Sequence, residues 1–246
     1  MDKDNLCLFS KKELWKMAHD ARGNSYLLKT IPHVKRRKIM DDNMYLMEGM
    51  SFNKGYPVLQ PYNGSTDFSL VSFSDRNRGS FENTAVHFFI DDYRFRDAMW
   101  YNLEHSAYSI SKFDYVFTPD FSLWRNLKTE YYNQKNLYRT RFVGAYLTLC
   151  GFNVIPTASW GGLESFSYCF TGLPEESIIA VSAMGARANQ QSFDLWHYGI
   201  ERLIIEKNPT LLLIYGEEFE ITDINVPVKF LPTFISNHFR YGKARK

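Results

Sequence analysis

Long hydrophobic runs are absent from this chain. The longest apolar stretches, VHFFI at residues 86–90 and TLLLIY at residues 210–215, fall far short of the ~20 residues that a membrane-spanning helix needs. The N-terminal stretch MDKDNLCLFSKKELW carries acids and no extended apolar run, so it does not have the pattern of a secretory signal. There are only three cysteines and no CxxC pair, which suits a reducing compartment. We therefore expect a cytoplasmic protein that makes no contact with a membrane.

Several motifs that would identify a reaction are also missing. The six histidines show no HxH, HxxxH or HExxH spacing, which gives no support to a zinc site. The chain has neither a GxGxxG nor a GxxxxGKS/T phosphate loop, and it has no GxSxG turn for a serine nucleophile. Nothing resembles a helix-turn-helix, an RNA-recognition motif or a zinc finger. A function must therefore come from residues that are dispersed along the sequence.

Positive charge is concentrated at the two ends of the chain. The net charge is only +2, yet residues 1–40 carry +6 and residues 236–246 carry +4, which leaves −8 for the residues between them. Basic ends around an acidic middle suit an anionic partner, so we expect these ends to contact a nucleic acid or a nucleotide. The alternative is that both ends are solvated and serve only solubility.

The 246 residues are 45% hydrophobic and 23% charged, which is typical of globular proteins and sufficient for one large domain. We predict a single domain over residues 1–246, with an irregular N-terminal wrap over 1–84, a core over 85–235 and a basic tail over 236–246. Within the wrap, a helix is predicted from Ser10, because this potential cap is followed three positions later by Glu13.

Strand-like and helical patterns alternate through the core. The predicted strands are residues 86–90, 115–118, 154–157, 177–183, 210–215 and 228–234, and the predicted helices are residues 96–111, 127–150 and 192–207. Strands that are joined through helices form parallel βαβ units with right-handed crossovers. The predicted fold class is therefore α/β with a mostly parallel sheet. An open doubly wound sheet and an incomplete or distorted (β/α) barrel both fit the pattern, and we favour the barrel.

Acidic residues follow the predicted strands. Because the carboxyl ends of parallel strands lie at one edge of a sheet, where ligands usually bind, we expect these acids to converge. The candidate catalytic residues are Asp91, Asp92, Asp120, Glu164 and Glu217, and the candidate substrate-binding residues are Arg94, Ser122, Arg139, Arg141, Trp160 and Arg187. Each of them also has an ordinary structural explanation, such as a helix cap, a turn or a surface ion pair.

Several of these residues fall within an ordered set of motifs. The motifs are VHFFIDDYRF, TPDFSLW, NLYRTRFVGAY, NVIPTASW and ESFSYCFTG, followed by a strand that ends in YGE. Together they resemble a family of domains of unknown function that occurs in phages, plasmids and conjugative elements of bacteria. The resemblance singles out Asp91, Asp92, Arg94, Asp120, Ser122, Tyr138, Arg139, Arg141, Gly144, Trp160, Glu164, Ser165 and Gly216. Tyr62 departs from the phenylalanine expected there, and the resemblance implies a mobile-element gene without implying a reaction.

Two classes of function fit these observations. The first is a hydrolase or transferase whose carboxylates act on a nucleotide, a nucleic acid or a glycosidic bond, as general acid and base or as acid and nucleophile. In one form of this hypothesis the carboxylates hold Mg²⁺ or Mn²⁺ for phosphodiester chemistry. The second is a non-catalytic accessory factor that binds nucleic acid or a host protein in element replication or phage–host conflict.

Overall fold

The computed structural model describes residues 42–77 and 81–233. The helix predicted from Ser10 and both basic ends of the chain lie outside the described residues. No helix in the described part combines the length and the apolar character that a membrane crossing requires.

A short antiparallel hairpin, β1 (Phe52–Asn53) and β2 (Tyr56–Pro57), precedes the sheets. Its two-residue turn places Lys54 and Gly55 at φ 47° and 83°, the left-handed region that tight hairpin turns demand.

In the described residues that follow, eight parallel strands form two sheets of four. The first sheet has the order β3 (Ser69–Ser72), β4 (Thr84–His87), β5 (Tyr115–Phe117) and β6 (Asn153–Ile155). The second has the order β7 (Thr157–Ala158), β8 (Ile178–Ser182), β9 (Leu211–Tyr215) and β10 (Val228–Leu231). Every neighbouring pair in both sheets is parallel, which confirms the predicted α/β class and the parallel pairing.

Pro156 separates the two sheets in the chain. It lies between β6 and β7 and has no N–H group, so the ladder of hydrogen bonds cannot run through it unbroken. Its carbonyl nevertheless accepts the N–H of Ala180 in β8 at 2.8 Å. The two sheets therefore adjoin at this residue.

The sheets enclose a common apolar interior. Alternate residues of the strands, such as Ala85, Phe117 and Leu213, meet in one buried cluster, and their neighbours point outward to two clusters beneath the helices. The ring of His87 lies in this interior, with its centroid 4.8 Å from that of Tyr215. Burial lowers the pKa of His87 to about 4, so this histidine is neutral at physiological pH.

The strand order identifies the architecture as an incomplete barrel. From β3 to β10 it follows the chain without the reversal that defines a doubly wound sheet. Among the described residues no ladder joins β3 to β10, so the barrel is not closed. A single side-chain bond approaches the gap, where Lys229 Nζ donates to the Thr66 carbonyl at 2.6 Å.

Three α-helices cover the sheets, close to the predicted ranges. Within residues 42–77 and 81–233 they are α1 (Leu103–Ile110), α2 (Tyr131–Leu149) and α3 (Gln190–Lys207), and α1 is preceded by a π-helical turn over Asp97–Tyr101. Helix α3 begins after Asn189, whose side chain accepts the N–H of Ser192 at 2.9 Å. It ends at Asn208, which adopts the left-handed conformation at φ 44°.

Candidate functional site

A cavity of about 390 Å³ opens at the carboxyl ends of β5, β7 and β8, and we call it the strand-end cavity. Its floor and walls come from the loops after these strands and from the first turns of α3. The lining residues are Asp120, Ser122, Leu123, Arg125, Ala158, Ser159, Trp160, Val181, Ser182, Met184, Gly185, Ala186, Ser192 and Trp196. Its position is the one that the parallel sheet predicts for a ligand site.

Asp120 is the only predicted catalytic residue that lines the strand-end cavity. Its Oδ1 atom is buried and has no hydrogen-bond partner among the described residues. The pKa of Asp120 is raised to about 7, chiefly by burial and also by the nearby charge of Asp92, while a hydrogen bond from Ser159 and the charge of Arg141 oppose the increase. A carboxyl group in this state can hold or release a proton near neutral pH.

Asp92 lies behind the cavity wall and holds Ser122. The Ser122 hydroxyl donates to Asp92 Oδ1 at 2.8 Å, and the Ser122 N–H lies 3.2 Å from both carboxylate oxygens. Burial raises the pKa of Asp92, and these bonds from Ser122 limit the increase. Asn136 of α2 fixes the same loop through its donation to the Ser122 carbonyl at 2.8 Å. Of the five predicted acids, Asp92 and Asp120 lie close enough for the charge of Asp92 to raise the pKa of Asp120.

The other three predicted acids do not line the strand-end cavity. Asp91 is exposed and forms an ion pair with Arg94 at 3.5 Å. Glu164 lies exposed in a 3₁₀ turn. Glu217 lines a neighbouring cavity of about 410 Å³ at the ends of β8 and β9, together with Arg187. The guanidinium carbon of Arg187 lies 5.6 Å from the ring centroid of Phe219.

Arg141 of α2 is enclosed by backbone carbonyl groups. Its guanidinium donates to the carbonyls of Thr157, Cys169 and Thr171 at 3.1, 2.8 and 2.9 Å. Burial lowers the pKa of Arg141 to about 10, which still leaves it charged at neutral pH. All three nitrogens of its fork are therefore used in joining β7 to the segment around residues 169–171.

Arg139 faces a different side of α2. Its Nη1 donates to Asn136 Oδ1 at 3.2 Å, and its guanidinium lies 5.2 Å from the ring centroid of Trp100. The Nε atom is buried without a described partner. The charge of Arg139 limits the increase in the pKa of Asp92 that burial causes.

Trp160 forms part of the cavity wall, and α3 is shaped to receive it. A Cβ atom on Gly199 would lie 2.1 Å from Trp160 Cε2, far inside contact distance, so only glycine fits there. Trp196 lines the cavity from α3 and donates its indole N–H to the Ser182 carbonyl at 2.9 Å. Two indole rings are thus held at the cavity by packing and by a hydrogen bond.

Five lining residues with polar or aromatic side chains were not among the predicted site residues: Arg125, Ser159, Ser182, Ser192 and Trp196. Arg125 and Ser192 are 67 positions apart, yet Arg125 Nη1 donates to Ser192 Oγ at 3.2 Å. Ser159 follows the predicted strand 154–157, and Ser182 lies at the end of the predicted strand 177–183. Both would have been predicted if hydroxyl groups at strand ends had been considered together with acids.

No metal-ligand cluster is present in the described part of the chain. Within residues 42–77 and 81–233, no three histidine, cysteine, aspartate or glutamate side chains lie together as a possible metal site. In these residues there is therefore no cluster of three such ligands that could hold the Mg²⁺ or Mn²⁺ considered from the sequence.

Comparisons with known proteins identify a family and relatives from phages. The pattern of the family described as a domain of unknown function (DUF4417) matches residues 49–233. The Gene 1 proteins of Mycobacterium phages L5 and D29 are each 40% identical to this chain over 151 residues, which is 61% of its length. The match spans 65% of the L5 protein and 55% of the D29 protein. No solved structure matches the chain.

Proposed function

This chain belongs to the DUF4417 family of domains of unknown function, and its relatives include two phage proteins. Because neither the family description nor the names of these relatives state an activity, we propose a function from the residues of the strand-end cavity. The proposed function is that of a hydrolase or transferase that acts on a nucleotide, a nucleic acid or a glycosidic bond, with Asp120 as its general acid. The observation that carries the proposal is the buried, unpartnered Oδ1 of Asp120 on the wall of this cavity.

The protonation of Asp120 suits proton transfer at physiological pH. A general acid works best when its pKa lies near the working pH, because it is then protonated and still able to release its proton. Burial gives Asp120 a pKa of about 7. Asp92 is less deeply enclosed and accepts two hydrogen bonds from Ser122, which favour its charged form. Two neighbouring acids with different environments are the arrangement from which acid and base roles arise.

The rest of the cavity supports a substrate with hydroxyl groups or an aromatic base. Four serine hydroxyls and the indole rings of Trp160 and Trp196 line it. Indole rings pack against sugars and bases, and hydroxyls supply both donors and acceptors. A volume of about 390 Å³ lies within the usual range of small-molecule sites. The substrate is therefore expected to be a small molecule or one unit of a polymer.

The proposal is tested by product formation from a panel of nucleosides, nucleotides, short oligonucleotides and glycosides, with and without added Mg²⁺. Chromatography of the reactions is expected to reveal cleavage or transfer by the natural sequence. Asp120→Asn, which cannot donate a carboxylic proton, is expected to reduce the rate about 10²- to 10⁴-fold. Asp223→Asn provides a matched control, since Asp223 is exposed and adopts a left-handed conformation that asparagine tolerates.

Equal rates for Asp120→Asn and the natural sequence would contradict the role of Asp120. Tight binding of a panel member without any product would instead favour the non-catalytic accessory factor, in which the same cavity only holds its ligand.

A further inference from the structure

We propose that the strand-end cavity contains a subsite for a phosphate monoester, formed by Arg125 and the first turn of α3. This subsite rests on the proposed function. Its substrate would be a small molecule that carries a terminal phosphate, such as a mononucleotide or a sugar phosphate. The phosphate occupies the Arg125 end of the cavity, and the reacting bond faces Asp120.

In the part of the chain that the structure describes, Arg125 is the single cation that lines this cavity. Within the described residues no carboxylate lies at ion-pair distance from it. Its described hydrogen bond uses one nitrogen, with Nη1 donating to Ser192 Oγ at 3.2 Å. The other donors of this fork are therefore available, and a guanidinium fork matches the spacing of phosphate oxygens.

Helix α3 adds positive potential beside Arg125. It has 18 residues, and its first turn reaches the cavity at Ser192. The side chain of Asn189 caps the N–H of Ser192, while the N–H groups of Gln190 and Gln191 have no described partner. Unpaired N–H groups at the start of a long helix attract anions, because the helix dipole is positive there.

Asp120 provides an independent indication that the cavity takes a ligand. Its buried Oδ1 lacks a partner, and an unsatisfied buried polar atom costs free energy until a bound group completes it. Among the described residues of the lining, Asp120 and Arg125 are the only ones with charged side chains. The cavity thus has a cation that can bind an anionic group of the ligand and a carboxyl group that can donate a proton to another group of it. A phosphorylated substrate meets both requirements when it also carries an ester or glycosidic oxygen, or an N-glycosidic nitrogen, that accepts the proton.

The test measures binding by isothermal titration calorimetry with two matched pairs of probes: ribose 5-phosphate against ribose, and adenosine 5′-monophosphate against adenosine. The phosphorylated member of at least one pair is expected to bind at least 10-fold more tightly. Arg125→Gln is expected to remove most of this preference and to leave the affinity for the unphosphorylated member within 2-fold.

Arg202→Gln is the matched control for the loss of one positive charge. Arg202 lies on the same helix and pairs with Glu206. It is ten residues beyond Ser192, or about 15 Å at 1.5 Å per residue. This variant is expected to bind all four probes like the natural sequence. An equal loss in both variants, an unchanged preference in Arg125→Gln, or no preference for phosphate in the natural sequence would each overturn the subsite.

Failure of the subsite can be distinguished from failure of the proposed function. Phosphate preference that depends on Arg125, without turnover of any substrate, supports the subsite and contradicts the enzyme. Turnover that depends on Asp120 but is equal for phosphorylated and unphosphorylated substrates supports the enzyme and overturns the subsite.

Discussion

For a single residue, the protonation of Asp120 links the cavity to the stability of the protein. Its carboxyl group holds a proton up to about pH 7 in the folded protein, whereas an aspartate in the unfolded chain loses its proton near pH 4. Folding therefore takes up a proton between these pH values. The contribution of Asp120 to the free energy of unfolding is therefore highest below pH 4, and it falls as the pH rises to about 7.

Asp120→Asn is expected to stabilise the protein at pH 8 by a few kcal/mol, at about 1.4 kcal/mol per unit of pKa shift. Asparagine never ionises, so it avoids the cost of a buried charge. The gain is expected to shrink steadily toward pH 4, where the natural carboxyl group is also neutral. Urea unfolding at several pH values measures this difference. A gain that does not change with pH, or one equal to that of Asp223→Asn, would contradict the assigned protonation.

At the scale of elements, α2 is the central link of the fold. Helix α2 packs against β6 and against the segment of β2, and most of its residues are buried, polar ones included. Gly144 marks its close approach to the sheet, since a Cβ atom there would lie 2.5 Å from Thr118 Cγ2. Arg141 joins this helix to β7 and to residues 169–171 through three backbone carbonyls. The wall that carries Trp160 follows β7 directly, so the helix also supports the cavity.

Arg141→Lys is expected to lower the free energy of unfolding by about 3–5 kcal/mol, the cost of breaking a buried charged network. A lysine keeps the charge, but its single ammonium group cannot reproduce the fork that serves three carbonyls. Arg202→Lys, at a partly exposed ion pair on α3, is expected to change stability by less than about 1 kcal/mol. Chemical unfolding of the two variants compares them directly, and similar small effects would show that Arg141 is not a structural clamp.

At the scale of the whole molecule, the sheet could be predicted from sequence because its strands are buried on both faces. Buried parallel strands are continuous apolar runs, such as LLLIY of β9, and these stand out from the loops. The run VHFFI also predicted a strand, but only its residues Val86 and His87 belong to β4. Strand β3 was not predicted. Its sequence SLVS is short, lies at the edge of the sheet and is not fully buried, so it lacks that signal. Residues 88–90 leave the sheet after β4 in a tight turn, with Ile90 N–H donating to the Phe88 carbonyl at 2.7 Å.

The site could be predicted only in part. The number of residues between a strand and a loop residue does not determine the direction in which the side chain of that residue points. Asp91 and Asp92 are neighbours, yet the first forms a surface ion pair and the second holds Ser122. The contact between Arg125 and Ser192 joins a loop to the first turn of α3, and the two residues are too far apart in sequence for a local pattern to predict it. Asp120 was predictable because it follows a buried strand almost immediately, where the sheet itself dictates its position.

The ¹³C NMR titration of the Asp120 carboxyl group tests the central claim most directly. Its resonance is assigned by its disappearance from the spectrum of Asp120→Asn. We expect a midpoint of about 7 in the free protein, because the carboxyl group is buried on the wall of a ligand cavity. A midpoint near 4, the ordinary value for aspartate, would contradict it.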